Sequence, residues 1–338
     1  MTKRLGWIAF ALAILAAPAP APGEDAKIVL IAGRPSHGKG EHEFNAGTKL
    51  LVKCLAEVPG VKPVFVAGGW PADESVFDGA RSVVFFMDGG GNHPIIQGEH
   101  LARIKKLMDQ GVGLVCMHYA VEIPKDKGGP EFLDWLGGYY ESGFSTNPHW
   151  VADVKSLPVH PITRGVKPFA VNDEWYYNMR FRPGDKVAKP VRADAKPPGP
   201  GQAGFKASAP GAAARAGLDK DDRSTVDLPA SVTPILVARP TDETRQGKSA
   251  SPRGPSKPIV DAKGRDEVLA WAVERPDGGR GFGFTGGHFH RNWGNADFRT
   301  LVLNAIVWTA KLDVPPAGIK SEVTADELSK NLDPKPKR

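Results

Sequence analysis

Four short segments between residues 27 and 117 constrain the fold more than any other feature of the chain. Lys27-Ile-Val-Leu-Ile-Ala-Gly33, Val64-Phe-Val66, Ser82-Val-Val-Phe-Phe-Met87 and Gly113-Leu-Val-Cys-Met117 are apolar at successive positions. A strand of that kind must be covered on both faces, which is the signature of a parallel sheet between two helical layers. The intervening segments supply the layers. Phe44, Leu50, Leu51, Cys54, Leu55 and Val58 fall on one helical face, as do Leu101, Ile104, Leu107 and Met108, with Gly111 as a stop signal. Alternating strands and helices predict a doubly wound, mostly parallel α/β domain with three layers, flavodoxin-like in outline.

The second half of the chain is less regular. Residues 129–138 predict a short helix, and residues 150–154 and 168–171 predict strands added antiparallel. A further strand is expected at 232–237. Glu267 to Arg275 and Gly281 to Thr285 form a hairpin through Asp277-Gly-Gly279, and Asp297 to Trp308 closes the domain as an amphipathic helix. The chain holds 31 Pro and 39 Gly in 338 residues, with a formal net charge of +6. Residues 185–265 alone carry 15 basic and 9 acidic side chains, 11 of the prolines and a single aromatic, Phe205. That stretch reads as a solvated, disordered basic insertion carrying one strand. The positive charge therefore belongs to an insertion rather than to a basic stripe on a folded face, which argues against a nucleic-acid partner. The segment from 315 to 338 is polar and is expected to fray.

Lys3 and Arg4 precede an apolar run from Leu5 to Ala17, followed by Pro18-Ala-Pro-Ala-Pro-Gly23. This pattern predicts a secretory signal peptide over residues 1–23, and hence a secreted or periplasmic protein with no membrane span after its removal. The mature domain would run from 24 to 314. The two cysteines, Cys54 and Cys116, lie among apolar neighbours and are expected as buried free thiols.

In open parallel sheets, ligands bind beyond the carboxyl ends of the strands. Those ends are followed here by Ser36-His37-Gly-Lys-Gly-Glu41-His42-Glu43, by Asp88-Gly-Gly-Gly-Asn92-His93, by His118-Tyr119, and by Gly287-His288-Phe-His290-Arg291-Asn292-Trp293. Asp173-Glu174-Trp-Tyr-Tyr177 follows a further strand. Seven of the nine histidines (His37, His42, His93, His118, His149, His288 and His290) sit in these loops or beside Trp150. The triple glycine after Asp88 lacks a following Lys-Ser/Thr, so a nucleotide phosphate loop is excluded.

These motifs together resemble the trehalose-utilisation, ThuA-like family. The resemblance rests on Gly33 with Glu41-His42-Glu43-Phe44, and on Gly111-Val-Gly-Leu-Val-Cys-Met-His118-Tyr-Ala120. It continues through Trp135-Leu-Gly-Gly138, His160-Pro-Ile-Thr-Arg-Gly165, Asp173-Glu-Trp-Tyr-Tyr177, Gly281-Phe-Gly-Phe-Thr-Gly-Gly-His288 and the closing segment Phe298 to Trp308. It spans roughly residues 27–184 and 229–312. It implies a class I glutamine amidotransferase-like fold and a role in disaccharide utilisation, beside an NAD-dependent sugar dehydrogenase. The amidotransferases carry a cysteine at the turn after the fourth strand. Here that turn carries His118, and Cys116 lies two residues back, about 6–7 Å lower in the strand. Glutaminase activity is therefore not expected.

A strand-end histidine without a Ser or Cys partner favours acid–base or metal-assisted chemistry. On the keto-sugar that the resemblance implies, that chemistry would be an isomerase's or lyase's, with a carbohydrate hydrolase also open. His118, Glu174, His288 and His42 are the candidate catalytic residues. The same four would also form an N/O ligand set for a divalent metal such as zinc. His37, Asn92, Tyr119, Asp173, Trp175, Tyr176, His290, Arg291 and Trp293 are the candidate carbohydrate-binding residues, because sugars present C–H faces to aromatic rings and hydroxyls to polar edges. A sugar-binding protein without catalysis is the rival reading.

Overall fold

The computed structural model describes residues 24–182, 231–247 and 255–335. The signal-peptide reading for 1–23 lies outside the described residues, as does most of the basic insertion. β1 (Ala26–Ala32) and β3 (Ala80–Phe86) pair in parallel, and β2 (Val61–Val66) flanks β1 at the sheet's edge. β4 (Gly113–Met117) follows β3, again parallel. Helices α1 (Phe44–Ala56) and α2 (His100–Asp109) make the crossovers. After α3 (Gly129–Trp135) the chain leaves the sheet. It forms two small antiparallel ladders, β5 (Gly138–Tyr139) with β8 (Arg180–Phe181) and β6 (His149–Val154) with β7 (Phe169–Glu174). It returns with β9 (Val232–Ala238), α4 (Asp242–Gln246), α5 (Lys257–Asp261), β10 (Glu267–Glu274), β11 (Arg280–Phe284), α6 (Ala296–Thr309) and α7 (Ala325–Ser329).

The seven-stranded order is β2-β1-β3-β4-β11-β10-β9. β11 adds to β4 in parallel, while β10 pairs antiparallel with both β11 and β9. The doubly apolar strands divide their side chains between two cores. Ile28, Leu30, Val84, Phe86, Val115 and Met117 pack with α1 and α6. Val29, Ile31, Val83, Phe85, Leu114 and Cys116 pack with α2 and α3 on the other face. The structure is thus a three-layer α/β sandwich, as the sequence predicts. Cys54 and Cys116 are free and buried in different cores. Among the described residues, no helix is long and apolar enough to cross a membrane.

Two expectations are corrected. Helix α6 is not amphipathic in its surroundings: every residue from Phe298 to Thr309 is buried. Its polar members are bonded internally. Arg299 donates to Trp293 O and Ser321 O, and Asn304 Nδ2 donates to Ile162 O and Arg164 O. Likewise residues 315–335 are not frayed. Ile319 is buried, α7 carries a Thr324–Glu327 capping box, and Asp333 is 6% exposed against the start of α1.

Candidate functional site

Parallel strands β1, β3, β4 and β11 end on one edge of the sheet, and β7 delivers Glu174 to the same place. His118 is the first residue after β4, fully buried and at φ +54. Its Nδ1 lies 3.0 Å from Thr285 O. A carbonyl only accepts, so Nδ1 carries a proton, and Nε2 presents a lone pair when the ring is neutral. His42, at φ +43, ends the loop after β1. Its Nδ1 lies 2.8 Å from Asp88 Oδ1, which fixes the same tautomer. Its Nε2 faces His118 Nε2 at 2.9 Å. Two lone pairs therefore converge on one point.

Glu174 and His288 complete the group. Glu174 Oε2 is 3.4 Å from His118 Nε2 and 3.2 Å from His288 Nδ1, and His288 Nδ1 is 3.3 Å from His118 Nε2. One donor atom from each of the four residues lies within 4.8 Å of all the others. All four side chains are buried. Tyr176 Oη approaches His118 Nε2 at 3.3 Å, and Asn147 Nδ2 donates to Glu174 Oε1 at 3.1 Å. His288 Nε2 is buried without a hydrogen-bond partner, 3.8 Å from Glu41 Oε1.

The electrostatics follow from burial. Burial and the neighbouring imidazoles of His118, His37 and His288 hold His42 well below the usual histidine range. Burial works against a charged His118 as well, but its hydrogen bond and Coulombic attraction to Glu174 outweigh it, and His118 is raised. Burial would raise Glu174, but hydrogen bonds to His118 and His288 hold it far below the usual carboxylate range. The cluster thus keeps its carboxylate ionised and favours a proton on His118 over one on His42. Glu122, half-buried four residues beyond His118, is pushed up to about 7 by burial and by the charge of Glu174. A Cβ on Gly90 would lie 3.4 Å from Glu122 Oε1 and 3.3 Å from Tyr119 Oη, so this glycine, at φ +66, lets both groups stand against the backbone after β3.

Backbone strain is concentrated here. Among the described residues, six that are not glycine have positive φ, and His37, His42 and His118 are three of them. The loop after β11 turns at Gly287, φ +110, whose amide donates to Asp173 Oδ2 at 2.8 Å. Asp173 also accepts from Phe289 N, Asn292 Nδ2 and Glu174 N. It is a fully buried brace for the His288 loop, with both oxygens engaged by these donors.

The other candidate binding residues separate into two groups. His37 stacks on His42 with ring centroids 3.6 Å apart and is part of the exposed rim, and Tyr119 and Tyr176 also stand at the cluster. Trp175 and Trp293 are fully buried. Trp175 Nε1 donates to Val171 O, and both rings pack on Phe298 in the core. His290 is buried and pairs with Leu328 O, and Arg291 lies exposed over the Phe289 ring. Asn92 is exposed in the turn after β3. His93 is a core histidine, bonded to Ala120 O and Ile95 N. Sequence reasoning passed over Asp88, Glu122, Asn147 and His149 as site residues. His149, half exposed, lies 3.8 Å from Glu174 Oε1. Asp88 lies two residues past the end of β3, within reach of the strand-end rule that selected His118, while Glu122 comes only after the short turn His118–Val121 that follows β4.

Cys116 is inside β4, fully buried, and burial pushes its thiol far above the usual range. It is not presented at the strand end.

The chain is similar in structure to a protein of Bacteroides uniformis ATCC 8492 described as thua-like, with a TM-score of 0.51 and 15% identity over 88% of this chain and 96% of that one. A second thua-like protein, from Parabacteroides merdae ATCC 43184, has a TM-score of 0.49 and 16% identity over 90% and 94%. At these identities the first comparison establishes a shared fold. No family model and no curated protein matches the chain.

Proposed function

We propose that the chain holds a divalent metal ion at His42, His118, His288 and Glu174 and uses the site to move a proton on an oxidised sugar. The observation that carries this reading is the pair of lone pairs facing each other at 2.9 Å, joined by a carboxylate and a third imidazole. Electron-pair donors in that arrangement repel unless a cation sits among them. A proton on His118 satisfies one of these contacts; a metal ion satisfies four. Metal–ligand bonds of about 2.0–2.1 Å at a tetrahedral centre put donors about 3.3 Å apart. Four of the six donor–donor separations, 2.9, 3.2, 3.3 and 3.4 Å, lie near that edge, and all six are within 4.8 Å. Asp88 behind His42 and Thr285 O behind His118 are the outer hydrogen-bond partners that metal-ligating histidines require. Three nitrogens and one oxygen suit zinc among the first-row divalent ions.

On accepting a substrate carbonyl oxygen as a further ligand, such an ion would polarise it. The remaining chemistry belongs to the chain. Glu122, poised near neutrality, accepts the proton from a carbon next to that carbonyl. The C–H electron pair becomes the enolate. In a 3-keto-glucoside the enolate pair then forms a C1–C2 double bond as the glycosidic C1–O bond breaks, and the leaving oxygen takes that bond's electron pair and the proton that Glu122 removed. The resemblance to ThuA-like proteins supports a disaccharide-derived substrate, and oxidation by an NAD-dependent sugar dehydrogenase would supply the ketone. We place the protein outside the cytoplasm, on the strength of the charged-then-apolar segment at residues 1–23. The non-catalytic sugar-binding reading loses its two tryptophan platforms to the core.

The test begins with metal content and Zn²⁺ affinity of the full chain. Stoichiometric binding is expected in wild type, weakened but still measurable in His42→Ala and Glu174→Gln. Turnover of 3-keto-glucosides should fall by about 10²–10⁴ in Glu122→Gln. Equal turnover by wild type and His118→Ala, or none by either, overturns the catalytic reading.

A further inference from the structure

The C-terminal segment crosses the loop that carries His42. Lys53 pairs with Glu327 at 2.7 Å, and Asn45, in the first turn of α1, donates to the Asp333 carboxylate. Asp333 N donates to Glu43 Oε2. Beyond it, the Lys335 ammonium donates to three backbone carbonyls, Ser36 O at 3.0 Å, Glu41 O at 2.7 Å and His42 O at 3.2 Å, and lies 3.3 Å from Glu43 Oε2. The Lys335 side chain is 13% exposed. An ammonium has three donors and no acceptor, and here each donor meets a carbonyl of one tight loop.

The geometry matters because of what that loop must do. Its turns at His37 and His42 lie in the left-handed region, at φ +57 and +43. Histidine there is strained relative to ordinary backbone. The turn also gathers the carbonyls of residues 36, 41 and 42, which cannot bond one another. A cation from elsewhere in the chain satisfies them and holds the strained form. That form sets His42 Nε2 against His118 Nε2.

We propose that the segment from Thr324 to Lys335 is a strap that positions His42, with Lys335 as the positioning residue, so that the four-residue cluster is complete only when the strap is docked. The strap's hold on the loop stands by itself; its consequence for the ion rests on the metal reading above. Lys335 acts through the backbone of residues 36–42 and touches none of the donor atoms.

The experiment uses the full chain with Lys335→Met, which keeps the stem and removes the charge, and Lys335→Arg, which keeps it. Amide hydrogen exchange across residues 36–43 reads the strap without any metal. Faster exchange there in Lys335→Met, restored towards wild type in Lys335→Arg, is expected. Unchanged exchange in Lys335→Met overturns the strap. Competition titration with Zn²⁺ reads the consequence. Lys335→Met should weaken binding by about 10-fold, the low end of the range for outer supports of a metal ligand. In a His42→Ala background the same substitution should have no further effect. An equal loss in that background overturns positioning through His42. If wild type binds no Zn²⁺, the metal reading fails, while the exchange result still decides the strap.

Discussion

Removing Asp88 isolates one outer support of the cluster. Its Oδ1 accepts from His42 Nδ1 at 2.8 Å, and this contact leaves Nε2 as the lone pair aimed at His118. Two substitutions separate its two effects. Asn keeps an oxygen that can accept the same proton, so Asp88→Asn preserves the tautomer and removes only the charge that raises ring basicity. Asp88→Ala removes both. Outer partners of metal-ligating histidines are worth about 10–100-fold in affinity. The Asp88 side chain is 37% exposed, so solvent screens its charge and the Asn variant should sit at the low end. The expectation is about 10-fold weaker Zn²⁺ binding for Asn and about 100-fold for Ala, or about 1.4 and 2.8 kcal/mol. Competition titration against a chelator gives the affinities, and a nitrogen-correlated histidine spectrum gives the His42 tautomer. Burial raises the Asp88 carboxyl, so on acidification wild type should approach the Asn variant before ordinary carboxylates protonate. Wild-type affinity in Asp88→Ala with the tautomer unchanged would refute the reasoning, because Asp88 would then be a rim carboxylate with no hold on His42.

Two further outcomes follow from the same geometry. Gly90→Ala puts a Cβ at φ +66 within 3.4 Å of both Tyr119 Oη and Glu122 Oε1. It should lower stability by about 1–2 kcal/mol and shift the Glu122 arm of any pH–rate profile; unchanged unfolding and an unchanged profile would show that the glycine is incidental. In metal-free protein, the raised His118 adds stability that is fully present below its unfolded value of about 6.5 and is lost as pH rises through the folded value. The lowered Glu174 adds stability above about 4.3, lost as pH falls through its folded value. The lowered His42, His93, His160 and His290 work the other way, costing stability as pH falls below about 6.5. The His118 contribution is therefore read by difference: with chelator present, His118→Ala should flatten the upper limb, the fall in denaturant midpoint as pH rises above about 6.5. An unaltered upper limb in that variant would assign it elsewhere.

What the sequence reveals depends on whether the cause is local. Doubly apolar strands and Gly stops identify β1, β3 and β4 because burial on both faces leaves a pattern in consecutive residues. The strand-end rule then finds His42, His118, Glu174 and His288, since topology fixes where such residues gather. It does not find Lys335, whose partners lie nearly three hundred positions away and whose neighbours read as a solvated tail. Nor does it separate Trp175 and Trp293 from sugar platforms. An indole beside a carboxylate looks the same in sequence whether it faces solvent or, as here, packs on Phe298. Helix α6 misleads in the opposite direction: Arg299 and Asn304 suggest a wet face, but their partners are backbone carbonyls of neighbouring loops.

The cost of building the cluster argues for its use. A surface that merely accommodates a polyol needs no buried carboxylate and no histidines in the left-handed region. Here His42 and His118 both adopt that backbone, and each is held there from outside. Lys335 clamps the first loop, while Thr285 O fixes the ring of His118. Asp173 spends its hydrogen-bonding capacity on the turn that presents His288. Strain of this kind persists where surroundings over-determine it, and those surroundings converge on four electron-pair donors. Relaxing any one support would move the donors apart and relieve their repulsion, so an uncharged centre should select against the arrangement. A cation at the centre reverses that sign, which makes cation binding and loop order one linked equilibrium. Zn²⁺ should accordingly slow amide exchange at residues 36–43 and 285–288 together, and slowing confined to one loop would mean that the four donors do not act on a common ion.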